Sequence, residues 1–376
     1  MKDQITILCS GFGLGFYIPG VLLKNEFQSM GYETDAEVFE TFMLDSNQEH
    51  IDDSRKAYHD NFAKAIIASK IPLNIEKSID DDKVNDLLNK WENEKRKHFI
   101  SLSGHWIFIL ETYKARVDWD VEVDGLYVDA DLAPSWKSLR KYIPTFEEKY
   151  APVCLYNKNS LNMEYTIGSK LYTPIHYEDR EKSVVIHGGG WGMGTYRDVL
   201  EDIQKYTDLE INLLAYSEQE LFASNRITSY MNNPSWCAWK QVGACGFPPY
   251  GIMKNGTEVC WKEPGTKYHW LLDVTARQLA VVAKPGAGTL IDSFVTETPI
   301  VMLKPFGKHE QKNMEVWENL GFGITYEKWK EKDFSIECLQ EAYMKLRNSK
   351  VHMNSYSEAY AKRLDSEYRF KCKRLF

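Results

Sequence analysis

The chain has 376 residues, 43% of them hydrophobic and 27% charged, and carries a formal net charge of −8. That length predicts about two domains, and the mixture is that of a soluble globular protein. The negative balance excludes nucleic acid as a bulk partner and argues against attachment to anionic membranes, because both need clustered Lys and Arg. The one basic patch, the closing "FKCKRLF", reads as a solvated helix end. No run of about 18 apolar residues and no secretory leader is legible, so the expectation is a cytoplasmic protein. Cysteines 9, 154, 237, 245, 260, 338 and 372 form no C-x-x-C pair and are odd in number, which argues against a disulfide framework and a structural zinc site.

From the N-terminus, "ITILC" (5–9) predicts a buried strand and "SGFGLGFYIPG" (10–20) a glycine-containing loop. Gly11 and Gly13 match the start of a dinucleotide fingerprint, but the third glycine falls on Phe16, whose side chain would keep helix from strand. "PGVLLKNEFQSMG" (19–31) opens on proline and ends on glycine, which predicts a helix over that span. "TDAEVFETF" reads as the next strand, 52–69 and 80–97 as helices, "HFISLSGHW" as a strand ending at Gly104-His105, and "WIFILETYKA" as a helix. Such βα alternation predicts a mostly parallel sheet.

Near residue 150 the periodicity loosens, and a second βα series begins at "SVVIHGGGWGMGTYRDVLEDIQKY" and continues through "LEINLLAY", "LAVVAK" and "TPIVMLK". The expected organisation is an N-terminal domain over 1–165, a linker over 166–182, a C-terminal domain over 183–350, and a final helix over 351–376 packing back on the first domain. The Trp- and Pro-rich excursion at 234–251 reads as core packing, with ring stacking on a ligand as the alternative.

Three strand-loop-helix junctions stand out. "GGGWGMG" has five glycines in seven residues, which lets a bulky ligand or the opposite domain come close; an irregular turn without a ligand is the other reading. In "VVAKPGAGTLIDSF" (281–294), Gly286, Gly288 and Thr289 fall where the first helical N–H groups are unpaired, a ready anion site. Asp292 follows three residues after Thr289 and suits sugar hydroxyls, although a capping box between the two fits the same spacing. "PFGKHEQKNMEVWENLGFG" gathers Lys308, His309, Glu310, Gln311 and Asn313 at a helix start.

In that order these segments resemble the C-terminal domain of GT-B glycosyltransferases, most closely the monogalactosyldiacylglycerol synthase and lipid-II N-acetylglucosaminyltransferase branch. The resemblance is carried by 184–196 and 281–323, extends over about half the chain, and implies an α/β GT-B fold of two Rossmann-like domains with parallel sheets facing a cleft. It implies no cofactor and no metal, but a nucleoside diphosphate sugar as co-substrate, a UDP-sugar first and a dTDP-sugar second, with a small-molecule acceptor such as a secondary metabolite. Carried over, Gly189, Gly190, Gly192 and Gly286 line the donor site, Gly288 and Thr289 meet the diphosphate, and Asp292 takes the place of the family's ribose-binding glutamate. Glu310, Gln311 and Asn313 lie near the donor sugar, and "YHWLLD" (268–273) is the candidate for contact with the nucleobase.

The opening stretch then reads as the family's acceptor-side loop, with Gly13, Gly15, Phe16 and Tyr17 in it, and Phe16 stands where the family has a histidine. Phenylalanine cannot take the acceptor proton that an inverting transfer releases. His105 at a strand end is the first candidate for that base, and Asp129 and Asp131 in "VDADLAPSW" are the second. A non-catalytic nucleotide-sugar-binding protein, a non-hydrolysing epimerase and a dehydrogenase are the competing readings.

Overall fold

The computed structural model describes residues 4–71, 74–222, 224–241, 245–254 and 258–374, with no side chain described at 151 or beyond 366. The basic end "FKCKRLF", with Cys372, therefore lies outside the described side chains.

The first half runs β1 (Ile5–Cys9), α1 (Leu14–Ser29), β2 (Thr34–Val38), α2 (Asp45–Asp60), α3 (Phe62–Ala68), α4 (Asp81–Asn93), β3 (His98–Ser101), α5 (Ile107–Arg116), β4 (Glu122–Tyr127), α6 (Pro134–Tyr142), α7 (Phe146–Lys149) and β5 (Ala151–Cys154). Its strands form a parallel sheet in the order β2-β1-β3-β4-β5. Helices cover both faces of such a sheet, so β1 and β3 are buried at every position. A two-stranded ribbon of β6 (Tyr156–Asn157) and β7 (Asn162–Met163) leads out of it.

The second half runs β8 (Ser183–His187), α8 (Tyr196–Tyr206), β9 (Glu210–Leu214), β10 (Ile227–Asn232), β11 (Tyr250–Met253), β12 (Cys260–Lys262), α9 (Leu271–Ala276), β13 (Ala280–Ala283), α10 (Ala287–Thr296), β14 (Ile300–Met302), α11 (Lys308–Leu320), β15 (Gly323–Thr325), α12 (Tyr326–Glu331) and α13 (Ile336–Lys350). The sheet order is β12-β11-β10-β9-β8-β13-β14-β15, parallel from β10 to β15 with β11 and β12 added antiparallel at one edge. That edge hairpin was not foreseen from the βα alternation. The last helix, α14 (Tyr356–Arg374), returns to the first domain, where Tyr356 and Arg363 each reach Asp124 of β4 at 2.8 Å. The two crossings between domains pair with each other, Thr166 N–H donating to Asn354 O and Tyr356 N–H to Thr166 O, both at 3.0 Å.

Several boundaries differ from expectation for local reasons. α1 begins at Leu14, five residues before Pro19; the missing N–H of Pro19 forfeits only the bond to the carbonyl of Gly15 in the first turn. The helix expected over 52–69 starts at Asp45 and breaks at Asn61, whose side chain caps α3 by accepting from Lys64 N–H at 3.0 Å. The strand expected through "TDAEVFETF" stops at Val38, and a 3₁₀ turn over Phe39–Phe42 delivers Glu40 beneath the loop that follows β1.

In open α/β sheets ligands bind beyond the carboxyl ends of the strands, where the strand order reverses. The reversal lies between β1 and β3 in the first sheet and between β8 and β13 in the second. The loops after these four strands hold "SGFG", "SGHW", "GGGWGMG" and "KPG", and all four border one interdomain cavity.

Candidate active site

The loop after β1 is closed to phosphate. Buried Glu40 accepts from Ser10 Oγ at 2.6 Å, Gly11 N–H at 2.6 Å and Phe12 N–H at 3.0 Å, so the amides a dinucleotide would need are taken. Burial raises the Glu40 pKa, and those donors work against the rise. On the carbonyl side Arg55 of α2 donates to Gly11 O at 2.7 Å, and Arg55 and Trp191 Nε1 both donate to Phe12 O. Beyond this loop Gly13 is the N-cap of α1 without a side-chain cap. Phe16 lines the cavity, whereas Tyr17 turns away, fully buried, with its hydroxyl on Gly246 O at 2.6 Å.

Across the cleft α10 starts from Gly286 and α11 from Gly307, again without side-chain caps. The N-termini of α1 and α10 face each other so closely that a Cβ on Gly288 would sit 3.6 Å from Gly15 Cα. Two helix starts with unpaired N–H groups converge there, and each carries partial positive charge. Between them and "GGGWGMG" runs Lys284, at the end of β13, its Nζ 2.6 Å from Glu310 Oε1, while Glu310 Oε2 accepts from Phe306 N–H at 2.7 Å. His187 closes this floor, its Nδ1 accepting from Gly189 N–H at 3.0 Å, which leaves the ring proton on Nε2. Burial first, and the Lys284 charge second, hold its pKa down to about 4, so the ring is neutral.

Thr289 is the third residue of α10 and not its N-cap, and Asp292 bonds His269 Nε2 at 2.9 Å, so the capping-box reading fails. Both Thr289 and Asp292 line the cavity, with His269, Trp270 and Leu271 of the "YHWLLD" segment beside them. Trp270 stacks on Tyr230 and Tyr250, ring centroids 5.7 and 4.5 Å away, and donates to Asn232 Oδ1 at 3.2 Å.

The domain seam runs through Asn313. Its Nδ2 donates to Asp129 Oδ1 at 2.8 Å and Pro285 O at 2.9 Å, and its Oδ1 accepts from Ala130 N–H at 2.7 Å. Fully buried and fully engaged, it ties the loop after β4 to α11 and to the loop after β13, and it does not line the cavity. Asp129 does line it, and burial raises its pKa, with His309, Asn313 and Lys284 opposing and Glu310 adding to the rise. His105 also lines the cavity, packed 5.2 Å from Phe39, its Nδ1 without a partner among the described residues; burial alone takes its pKa to about 4.

The cavity measures about 340 Å³ and brings together Gly13, Gly15, Phe16, His105, Asp129, Gly189, Gly190, Gly286, Gly288, Thr289, Asp292 and Glu310. Gln311 is exposed outside it, and Asp131 lies outside beside Lys158 at 3.8 Å. Lys284, His187 and Glu40 were missed from sequence. Lys284 had a legible signal in its place between a buried strand and a glycine-containing helix start. Among the described residues no cluster of three His, Cys, Asp or Glu could hold a metal ion, and no helix is long and apolar enough to cross a membrane.

Gly192 sits behind the cavity in a left-handed conformation (φ 56°), and a Cβ there would lie 2.4 Å from Tyr216 Cβ. This tight turn lets α2 dock: His59 Nδ1 is 2.7 Å from Gly192 O, its Nε2 is 3.1 Å from Glu220 Oε1, and its ring stacks on Tyr216 at 4.2 Å. With acceptors at both nitrogens the ring is held as imidazolium. Burial opposes that charge, but Glu220 and the Gly192 carbonyl outweigh it and raise the pKa. Burial likewise opposes the Glu220 charge, yet His59, Tyr216 N–H and Tyr196 bring its pKa to about 2. The His59 contribution to stability is therefore full below its ordinary pKa of 6.5 and fades as the pH rises through the raised value. The loss of melting temperature in His59→Gln is expected to be larger at about pH 6 than at about pH 8.5; an equal loss at both would refute a charged His59–Glu220 pair.

No protein-family model matches the chain, and no curated protein matches its sequence. Solved structures do match over nearly the whole length. The spinosyn rhamnosyltransferase SpnG superposes with a TM-score of 0.56 at 10% identity, covering 97% of this chain and 100% of its own. MurG of Acinetobacter baumannii gives 0.53 at 11%, covering 96% and 98%. The Streptomyces sp. SF2575 glycosyltransferase SsfS6, solved with thymidine diphosphate, gives 0.53 at 8%, covering 95% and 98%. The shared architecture is GT-B: two α/β domains with parallel sheets whose switch points face one cleft.

Proposed function

We propose that the protein is a glycosyltransferase that moves a sugar, with inversion, from a nucleoside diphosphate sugar to a small hydroxyl-bearing acceptor. The observation that carries this is the convergence of Lys284 with the uncapped starts of α1 and α10 at the switch points of both sheets. A diphosphate satisfies what that arrangement leaves open, namely unpaired N–H groups and partial positive charge at one point. Asp292, steadied by His269, keeps its second carboxylate oxygen for a ribose hydroxyl, and the Trp270 segment is a platform for a base. Thymidine diphosphate in SsfS6 favours a pyrimidine nucleotide, dTDP or UDP.

When the glycosidic bond to the donor breaks, negative charge grows on the departing diphosphate. Lys284 and the helix N–H groups are aimed at that charge, and the loss of one such preorganised donor costs about 3–4 kcal/mol of barrier. The Nε2–H of His187 is a further donor at the same floor. The acceptor proton has to leave on the opposite side of the anomeric carbon, at the seam between domains. Asp129 is at the seam, tied to Asn313, and its raised pKa makes it a stronger base than an ordinary aspartate. His105 lies against Phe39 in the first domain, and its lowered pKa makes it a weaker one. Asp129 is therefore preferred over His105 as the base, and Asp131 has no part.

Calorimetric titration with UDP, dTDP, GDP and NAD tests the donor half. Selective binding of one pyrimidine nucleoside diphosphate is expected. Binding of none, or of NAD alone, would remove the glycosyltransferase reading. Phe16 in the cavity, where the family has histidine, favours one rival, a binding protein without turnover. That rival binds donor but neither hydrolyses nor transfers it.

A further inference from the structure

We infer that the acceptor is an uncharged, largely apolar molecule with a flat ring system, and that one bearing a phosphate or carboxylate near the reacting hydroxyl is rejected. This rests on the glycosyl-transfer reading and names its missing substrate class.

The donor half of the cavity belongs to the second domain, and the first domain supplies the other wall. Phe12, Phe16, Tyr58, Ala68, Ile71 and Pro134 make up much of that wall. Among the described residues no Lys or Arg of the first domain lines the cavity. Among the described residues the one Lys or Arg that lines it, Lys284, is on the donor side and already paired with Glu310. Besides the Tyr58 phenol, the wall's ionisable groups are Asp129, whose pKa burial raises, and His105, an imidazole that burial holds neutral. Ser103 and Ser135, polar but neutral, already accept from the backbone N–H groups of His105 and Gly104. An anionic acceptor would give up its water, meet no cationic side chain on this wall and approach Asp129, which opposes binding on both counts.

The aromatic content gives the shape. Tyr58 stacks on Trp191 with ring centroids 5.6 Å apart, and Phe12 meets the same indole edge-on at 4.3 Å. Phe62 and Ala65 of α3 pack into the same cluster with Met193 and Phe306 of the second domain, so α2 and α3 roof the acceptor side with apolar groups. Phe16 has no ring partner among the described residues, although it lines the cavity. Half-buried and packed against the core, it adds an aromatic group to the apolar wall where the family has its base, which suits contact with a planar ligand.

The test uses two probes with one ring system, 2-naphthol and 2-naphthoate, titrated into the intact protein at neutral pH, with UDP and dTDP titrated separately. 2-Naphthol is expected to bind at least about 100-fold more tightly than the carboxylate, because like-charge juxtaposition and unpaired burial are both costly. Ala68→Arg, at the end of α3, should narrow that gap by about 10-fold or more, as one added counter-charge would. If that variant does not fold, Ile71→Arg at a position 59% exposed repeats the test. Equal binding of the two probes, preference for the carboxylate, or binding of neither overturns the inference, and if a nucleotide still binds the glycosyltransferase reading stands. Selective 2-naphthol binding without nucleotide binding would sink that reading and leave the character of the wall.

Discussion

Asp129→Asn is expected to lower turnover by about 10²–10⁴-fold, the usual contribution of a positioned general base, while nucleotide affinity stays near that of the native protein. The asparagine still offers an oxygen to Asn313 Nδ2, so the seam holds and the loss reports chemistry and not misfolding. The pH profile gives the sign. Because burial raises the Asp129 pKa, the native rate should fall on the acid side at a pH above that of an ordinary aspartate, as the carboxylate becomes protonated. The same raised pKa means that ionised Asp129 destabilises the fold, so the variant should melt at or above the native temperature at neutral pH. His105→Gln is the matched control and keeps most of the turnover. If His105→Gln abolishes turnover and Asp129→Asn does not, the assignment of the base is reversed.

Lys284→Met should weaken nucleoside diphosphate binding by about 10²–10³-fold. Truncating one partner of a desolvated charge pair across a binding interface costs about 2–5 kcal/mol of affinity, and here the abandoned Glu310 carboxylate would also repel the diphosphate. Side-chain exposures of 12% for Lys284 and 4% for Glu310 put the pair in that regime. Glu310→Gln separates the two effects. It keeps an acceptor for Phe306 N–H and frees Lys284, so affinity should hold or improve. Calorimetry with UDP or dTDP reads both variants. Native affinity in Lys284→Met would show that the diphosphate lies elsewhere in the cleft.

The repetition of strand, glycine turn and helix was legible because each part has a local cause. Buried parallel strands need unbroken apolar runs such as "SVVIH", and close turns need glycine. That pattern alone located the four loops that border the cavity, and Gly288, Thr289 and Asp292 were found in it for local reasons too, since they occupy one helix start. Nothing local marks Glu40, which acts on a loop 28 residues upstream, or Asn313, whose partner Asp129 is 184 residues away. The family resemblance implied that Asn313 lies near a donor sugar; burial at the seam gives both ends of its amide other work.

The ranking of candidate bases shows the same division. His105 and Asp129 both stand at strand ends, and their ordinary pKa values favour histidine as a base near neutral pH. Burial lowers one and raises the other, and only packing decides which group meets the donor side. Sequence by itself determined the α/β class, the two βα series and the glycine turns, because these depend on residues close together in the chain. Tertiary structure alone decided that the first glycine loop is sealed by Glu40, that Lys284 is the cation of the site, and that Asn313 binds domain to domain. Those properties arise where distant segments share one desolvated space, and burial, charge and unpaired hydrogen-bonding groups are set by what the fold brings into it.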